Sequence, residues 1–204
     1  MNEARRILAS VCAALALLGG CTASRLVKQE KNPEYSGKPF GSVLVVAVHA
    51  DELVRRPFED RIVARLGARG RKGIPSYDVL GRGKVEEAAL RRAIAQSGAD
   101  GVLVTRISGV DRPSWTVPGA TIGVSMGWGG FYGYYSGLWE TVNVPSQQVS
   151  GSSTTYSETR LFDAKSGVLA WRGVMETRQS DDLDAVLTQY IDVIFNAMVS
   201  DRVL

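Results

Sequence analysis

Ser42 to His49 reads Ser-Val-Leu-Val-Val-Ala-Val-His, an apolar, largely β-branched run with no polar residue between Val43 and Val48. A strand with one wet face alternates polar and apolar residues. An unbroken run requires burial on both faces, as in a parallel sheet covered by helices. The segments after it fit that requirement. Phe58, Ile62, Val63 and Leu66 share one helical face over Pro57 to Leu66, with Pro57 suited to a first turn and Gly67 to a stop. Ser76 to Leu80 reads as a second strand. Lys84 to Ser97 reads as a second helix, with Val85, Ala89, Leu90, Ala93 and Ile94 inward and Gly98 beyond its end. Gly101 to Val110 is the third strand. Two strand–helix–strand units in succession imply right-handed crossovers onto a parallel sheet.

The pattern then changes. Thr121 to Met126 and Leu138 to Val144 are strand-like and flank the aromatic, glycine-rich stretch 127–137, so a long hairpin over 119–144 is expected. Thr154 to Asp163 and Val168 to Thr177 read as a second hairpin turning on Asp163-Ala-Lys-Ser-Gly167. Ser180 is a candidate N-cap. Leu183, Val186, Leu187, Tyr190, Ile191, Ile194 and Met198 repeat at helical spacing and close the chain with an amphipathic helix. The expected class is α+β: a mixed sheet from two βαβ units and antiparallel hairpins, helices packed on it, and a C-terminal helix.

The amino-terminal end constrains location. Arg5 and Arg6 precede an apolar run from Ile7 to Leu18, which ends in Gly19-Gly20-Cys21. A basic start, an apolar core of about a dozen residues and a small-residue end make a secretory signal. The run is shorter than the roughly 20 residues a membrane span needs. Cysteine directly after two glycines resembles the lipobox of bacterial lipoproteins, which implies cleavage before Cys21 and lipidation of its thiol. Residues 1–20 are then signal, 21–41 a lipidated cysteine with a flexible tether, and 42–204 a single domain. The tether reading rests on the polar, Pro- and Gly-containing composition of Thr22 to Gly41. Thr22 stands where enteric-type sorting would use Asp for inner-membrane retention, and this implies the outer membrane. Cys12 leaves with the signal, so no thiol remains for a disulfide or a nucleophile.

Three segments resemble a group of bacterial envelope lipoproteins with no assigned activity: the Ser42–Val48 strand, Ser97 to Ile107 (SGADGVLVTRI) and Glu158 to Gly173 (ETRLFDAKSGVLAWRG). Members show a Gly- and aromatic-rich stretch followed by a hairpin that Asp163 to Gly173 matches, at Asp163, Gly167, Trp171 and Gly173. The strand–helix order is also similar to the amino-terminal domain of TolB. The resemblance implies a place and a fold and carries over no catalytic residue.

Candidate chemistry is sparse. Gly123-Val-Ser-Met-Gly127 has the G-x-S-x-G spacing, but glycines follow where a helix must, and no histidine follows Ser125. His49 is the one histidine, at a strand end beside Asp51 and Glu52. A lone histidine cannot make a typical zinc site, and no metal or cofactor is expected. Asp51, Asp60, Asp78 and Asp100 have no spacing that demands convergence. Arg65, Arg69, Arg71, Lys72, Arg82 and Lys84 form a basic cluster without phosphate-loop spacing, read as a solvated face. A net charge of +3 gives no case for nucleic acid. Residues 115–139 hold seven aromatics of a chain with 4 Trp, 7 Tyr and 5 Phe. They serve either a self-packed element or an exposed contact arm.

The expectation is therefore a lipid-anchored, non-enzymatic envelope lipoprotein facing the periplasm. It meets the membrane through Cys21 and binds an envelope protein or glycan through Trp128, Phe131, Tyr132, Tyr134 and Tyr135. The alternatives are a glycan- or lipid-binding protein using the same rings, and a hydrolase using His49 with neighbouring carboxylates.

Overall fold

The computed structural model describes residues 24–49, 51–81, 85–108, 130–142, 154–178, 180 and 182–204. Six strands form one mixed sheet: β1 (Ser24–Lys31), β2 (Ser42–Val48), β3 (Lys72–Pro75), β4 (Gly101–Ser108), β5 (Thr154–Asp163) and β6 (Leu169–Arg178), in the order β1-β6-β5-β4-β2-β3. β2 is parallel to β3 and β4, and the remaining neighbours are antiparallel. Four described helices accompany it: α1 (Glu52–Gly67), α2 (Glu87–Ser97), α3 (Phe131–Val142) and α4 (Leu183–Ser200). The class is α+β with a C-terminal helix, as the periodicities require.

The double-sided burial of β2 is literal. Val43, Val45 and Ala47 face one core with Phe58, Ile62 and Leu66 of α1 and Tyr190, Ile194 and Met198 of α4. Leu44, Val46 and Val48 face the other, with Leu90 and Ile94 of α2 and Phe131, Tyr135 and Leu138 of α3. The β5–β6 hairpin also forms as read. Asp163 Oδ1 accepts from the Lys165 and Ser166 amides and from the Ser166 hydroxyl, at 3.1, 2.7 and 2.8 Å. Gly167 takes φ 71°, a conformation that costs other residues a Cβ clash.

Five expectations are corrected. Residues 24–31 are an edge strand rather than tether. The segment is too polar to read as a strand, but a two-sided charge ladder suits a sheet edge. Arg25 opposes Glu176, Glu30 opposes Arg172, and a bulge between Leu26 and Lys28 turns Val27 outward. The second strand is Lys72–Pro75, and Ser76–Asp78 is a 3₁₀ turn. α1 starts at Glu52, because the Asp51 carboxylate accepts the Leu53 amide at 2.8 Å, and Pro57 falls in its second turn. The cap of α4 is Asp182, which accepts the Ala185 amide at 2.9 Å; Ser180 Oγ accepts the Asp182 amide instead.

The largest correction is the aromatic arm. Residues 131–142 are helical, not the second half of a hairpin; residues 119–129 and 143–144 lie outside the described residues. Phe131, Tyr134, Tyr135 and Leu138 recur at i, i+3, i+4, i+7, so one face of a helix collects them on the sheet. Gly133 and Gly137 concealed this pattern, since each costs a helix about 1 kcal/mol against alanine. A Cβ added at either would meet nothing within 4 Å. Gly133→Ala and Gly137→Ala are each expected to raise stability by about 0.5–1 kcal/mol, read as a higher urea midpoint at unchanged slope. A lower midpoint for both would refute the helix.

Candidate functional site

His49 ends β2 half-buried. Its Nδ1 lies 3.0 Å from the Asp51 amide and 3.3 Å from the Asp51 carbonyl. The Asp51 carboxylate is committed to the α1 cap, and Glu52 pairs with Arg55 (2.6 Å) and Arg56 (2.9 Å). The neighbouring carboxylates therefore serve the helix start, and the His49 contacts are to backbone. The remaining acids do not converge. Asp100 accepts the Gly41 and Ser42 amides, both at 2.9 Å, at the opposite end of β2. Asp60 accepts the Tyr77 hydroxyl, which holds that phenol up at about 12. Among the described residues no group of three His, Cys, Asp or Glu side chains could hold a metal ion.

Among the described residues, the structure holds a buried ionisable network that the sequence did not suggest. β3 stops at Pro75, whose Cα partner is Val45, so the Ala47 amide beyond it lacks a strand acceptor. Glu59 of α1 supplies one: Oε1 accepts Ala47 N–H at 2.9 Å and Ser76 Oγ–H at 2.7 Å, and Oε2 accepts Ser76 N–H at 2.8 Å. Arg55, also buried, lies beside it and pairs with Glu52. Burial pushes the Glu59 carboxyl up, against the amide and hydroxyl bonds and the Arg55 charge. With every donor to it contributed by the fold, this carboxylate is a backbone surrogate.

The aromatic residues divide. Phe131 and Tyr135 are buried, with Phe131 5.4 Å from the Phe162 ring and 5.8 Å from Tyr135. As contact residues these two are withdrawn, because the sheet already covers them. Tyr134 is half-buried over the Arg160 guanidinium at 3.9 Å, and its hydroxyl donates to Glu158 at 3.3 Å. Its phenol is raised strongly, first by burial and then by the Glu158 charge. Tyr132 is half-buried, with Arg91 3.5 Å over its ring. Trp128, Cys21 and Ser125 lie outside the described residues. The basic cluster is dispersed: Arg65 pairs with Asp192 at 2.5 Å, Arg69 donates to Asn196 at 3.3 Å, and Arg71 donates to the Phe40 carbonyl. Arg82 and Lys84 also lie outside the described residues.

Beyond α3, the same sheet face becomes a charge ladder across β5, β6 and β1. Arg160 bonds Glu158 at 2.9 Å, Arg172 bonds Glu30, and Arg25 bonds Glu176 at 2.8 Å. Exposure rises along it from Arg160, at 5%, to Arg25, at 66%. Lys28 and Arg172 hold Glu30 below the usual carboxylate range, and Arg25 does the same for Glu176. The period-2 order Tyr156, Glu158, Arg160 was the available signal for this face.

No protein-family model matches the chain, and no curated protein matches it. Among solved structures, a point variant of the PelC dodecamer from Paraburkholderia phytofirmans aligns with a TM-score of 0.45 at 13% identity, covering 84% of this chain and 95% of that one. A second PelC dodecamer from the same organism gives 0.43 at 14% identity, covering 85% and 96%. TolB from Acinetobacter baumannii gives 0.38 at 10%, covering 87% of this chain and 31% of that one. None of the three gives a residue of this chain a role.

Proposed function

We propose that the chain is a lipid-anchored envelope lipoprotein of the outer membrane, facing the periplasm and acting by binding or assembly rather than catalysis. One observation carries this reading: the order Arg5-Arg6, apolar Ile7 to Leu18, then Gly19-Gly20-Cys21. Lipid at Cys21 needs no site in the fold, since each buried methylene adds about 0.8 kcal/mol and two or more chains hold the protein stably. Binding is favoured over hydrolysis because the His49 Nδ1 and the Asp51 carboxylate are both engaged by local amides. Within the aromatic stretch, the contact role rests on Trp128, Tyr132 and Tyr134.

Growth on labelled palmitate tests the anchor. The full-length chain is expected to take up label and to sediment with membranes. Cys21→Ala should lose both, by at least an order of magnitude in membrane-to-soluble ratio, given the anchoring strength of acyl chains. Equal labelling of the two chains would sink the reading. Photo-crosslinkers at 128 and 132 then test the contact role, for which a recurrent envelope protein is the expected product.

A further inference from the structure

The strand directions give the sheet two distinct ends. β2, β4 and β6 run one way and β1 and β5 the other, so β1 begins at the end where β2, β4 and β6 finish. Ser24 opens β1 there, three residues after Cys21. Three Cα steps of about 3.8 Å keep Ser24 within ~11 Å of the cysteine that carries lipid. Ser24 is also fixed on the fold: its amide donates to Gln189 at 3.0 Å and its hydroxyl meets Thr177 at 3.1 Å. A leash this short holds that end of the sheet against whatever holds the cysteine.

α1 and α4 both start at the same end, because each follows a strand that finishes there. Their first turns carry Leu53, 84% exposed, and Leu183, 61% exposed. Among the described residues these exceed the other large apolar side chains on the surface, Val27 and Val168. The four described carboxylates on these helix starts are already engaged. Asp51 and Asp182 cap, Glu52 pairs with Arg55 and Arg56, and Asp184 pairs with Arg61. The two leucines thus project from an end whose four described acids are each held locally, Glu52 and Asp184 by arginines and Asp51 and Asp182 by backbone amides.

We infer that this end of the sheet lies on the lipid surface, with Leu53 and Leu183 set into the bilayer interface beside the anchored Cys21. The inference rests on the lipid anchor proposed above. It fixes the orientation: the Asp163–Gly167 turn and the end of α4 point away from the membrane, into the space where a partner is met. The occupant is the bilayer, because the leash reaches no farther and an interface of headgroups and acyl chains takes isolated leucines.

The lipid-bearing chain has no free thiol, so single cysteines can be introduced at Leu53→Cys, Leu183→Cys and Val168→Cys and labelled with a polarity-sensitive fluorophore. The protein is reconstituted in phosphatidylethanolamine–phosphatidylglycerol vesicles. Labels at 53 and 183 are expected to shift to the blue and be quenched by spin-labelled lipid, while the label at 168 stays water-like. Water-like labels at 53 and 183, on protein that floats with vesicles and carries lipid by mass, overturn the orientation and leave the anchor standing. Equal shifts at all three positions also overturn it. An unmodified Cys21 by mass overturns the anchor, and the orientation with it.

Discussion

Replacing Glu59 with alanine is expected to cost about 3–5 kcal/mol, because it strands buried donors that have no other acceptor. The side chain is fully buried and accepts from Ala47 N–H, Ser76 N–H and Ser76 Oγ–H. Its loss leaves two backbone donors dry, each costing about 1–3 kcal/mol, while Arg55 keeps its pair with Glu52. For a domain of this size the fall in Tm is roughly 10 °C. Glu59→Gln keeps one acceptor but turns an NH₂ toward a donor, so an intermediate loss is expected. The pH dependence adds a signature. The folded carboxyl is raised above its ordinary value of 4.5, so between that value and the folded pKa the native state binds more protons than the unfolded chain. The Glu59 contribution is full below about pH 4.5 and declines as pH rises through the folded pKa. The gap between wild type and Glu59→Ala should therefore narrow from pH 4.5 upward in urea titrations. A widening gap would mean that attraction to Arg55 outweighs burial.

This network also shows where the sequence stopped being legible. Glu59 stands next to Phe58 and three residues before Ile62 on α1, where an acid reads as a solvent-side residue. Its role follows from β3 ending at Pro75, a tertiary fact with no local trace. By contrast, β2 and the β5–β6 hairpin were legible because burial on both faces and an Asp-to-Gly turn each leave an unbroken local pattern. β1 was missed for the opposite reason: an edge strand is made of charges, and its partners lie more than 140 residues away at Arg172 and Glu176. α3 was missed because aromatic residues favour strands and its two glycines disfavour helix. The aromatic excess is visible in the sequence, but composition does not reveal which rings the sheet covers. The proposed anchor at Cys21, conversely, rests on the sequence alone.

Trp171 and Gly173 give the second large effect, and their coupling is the sharper test. Trp171 is fully buried between β6 and α4, and its indole N–H donates to Asp201 at 2.7 Å. The ring lies flat across Gly173: a Cβ built there would stand 2.3 Å from the indole Cη2. Glycine is required here by close approach, since its φ is not in the left-handed region. Trp171→Ala should cost about 3–5 kcal/mol, as for other large buried aromatics. Gly173→Ala should cost about 1–3 kcal/mol by forcing the indole off its seat. Once the ring is gone the added methyl meets open space and fills part of the cavity. The double variant should therefore be more stable than the sum of the two losses implies, by about 1–2 kcal/mol, within the range seen for residues in contact. Additivity within about 0.5 kcal/mol, measured by urea unfolding of all four chains, would show that the indole does not rest on Gly173. The Trp-x-Gly spacing of the hairpin motif would then need an explanation outside the fold. The expected coupling instead makes that spacing a packing device, in which a glycine two residues along the same face of β6 leaves the floor on which the tryptophan lies.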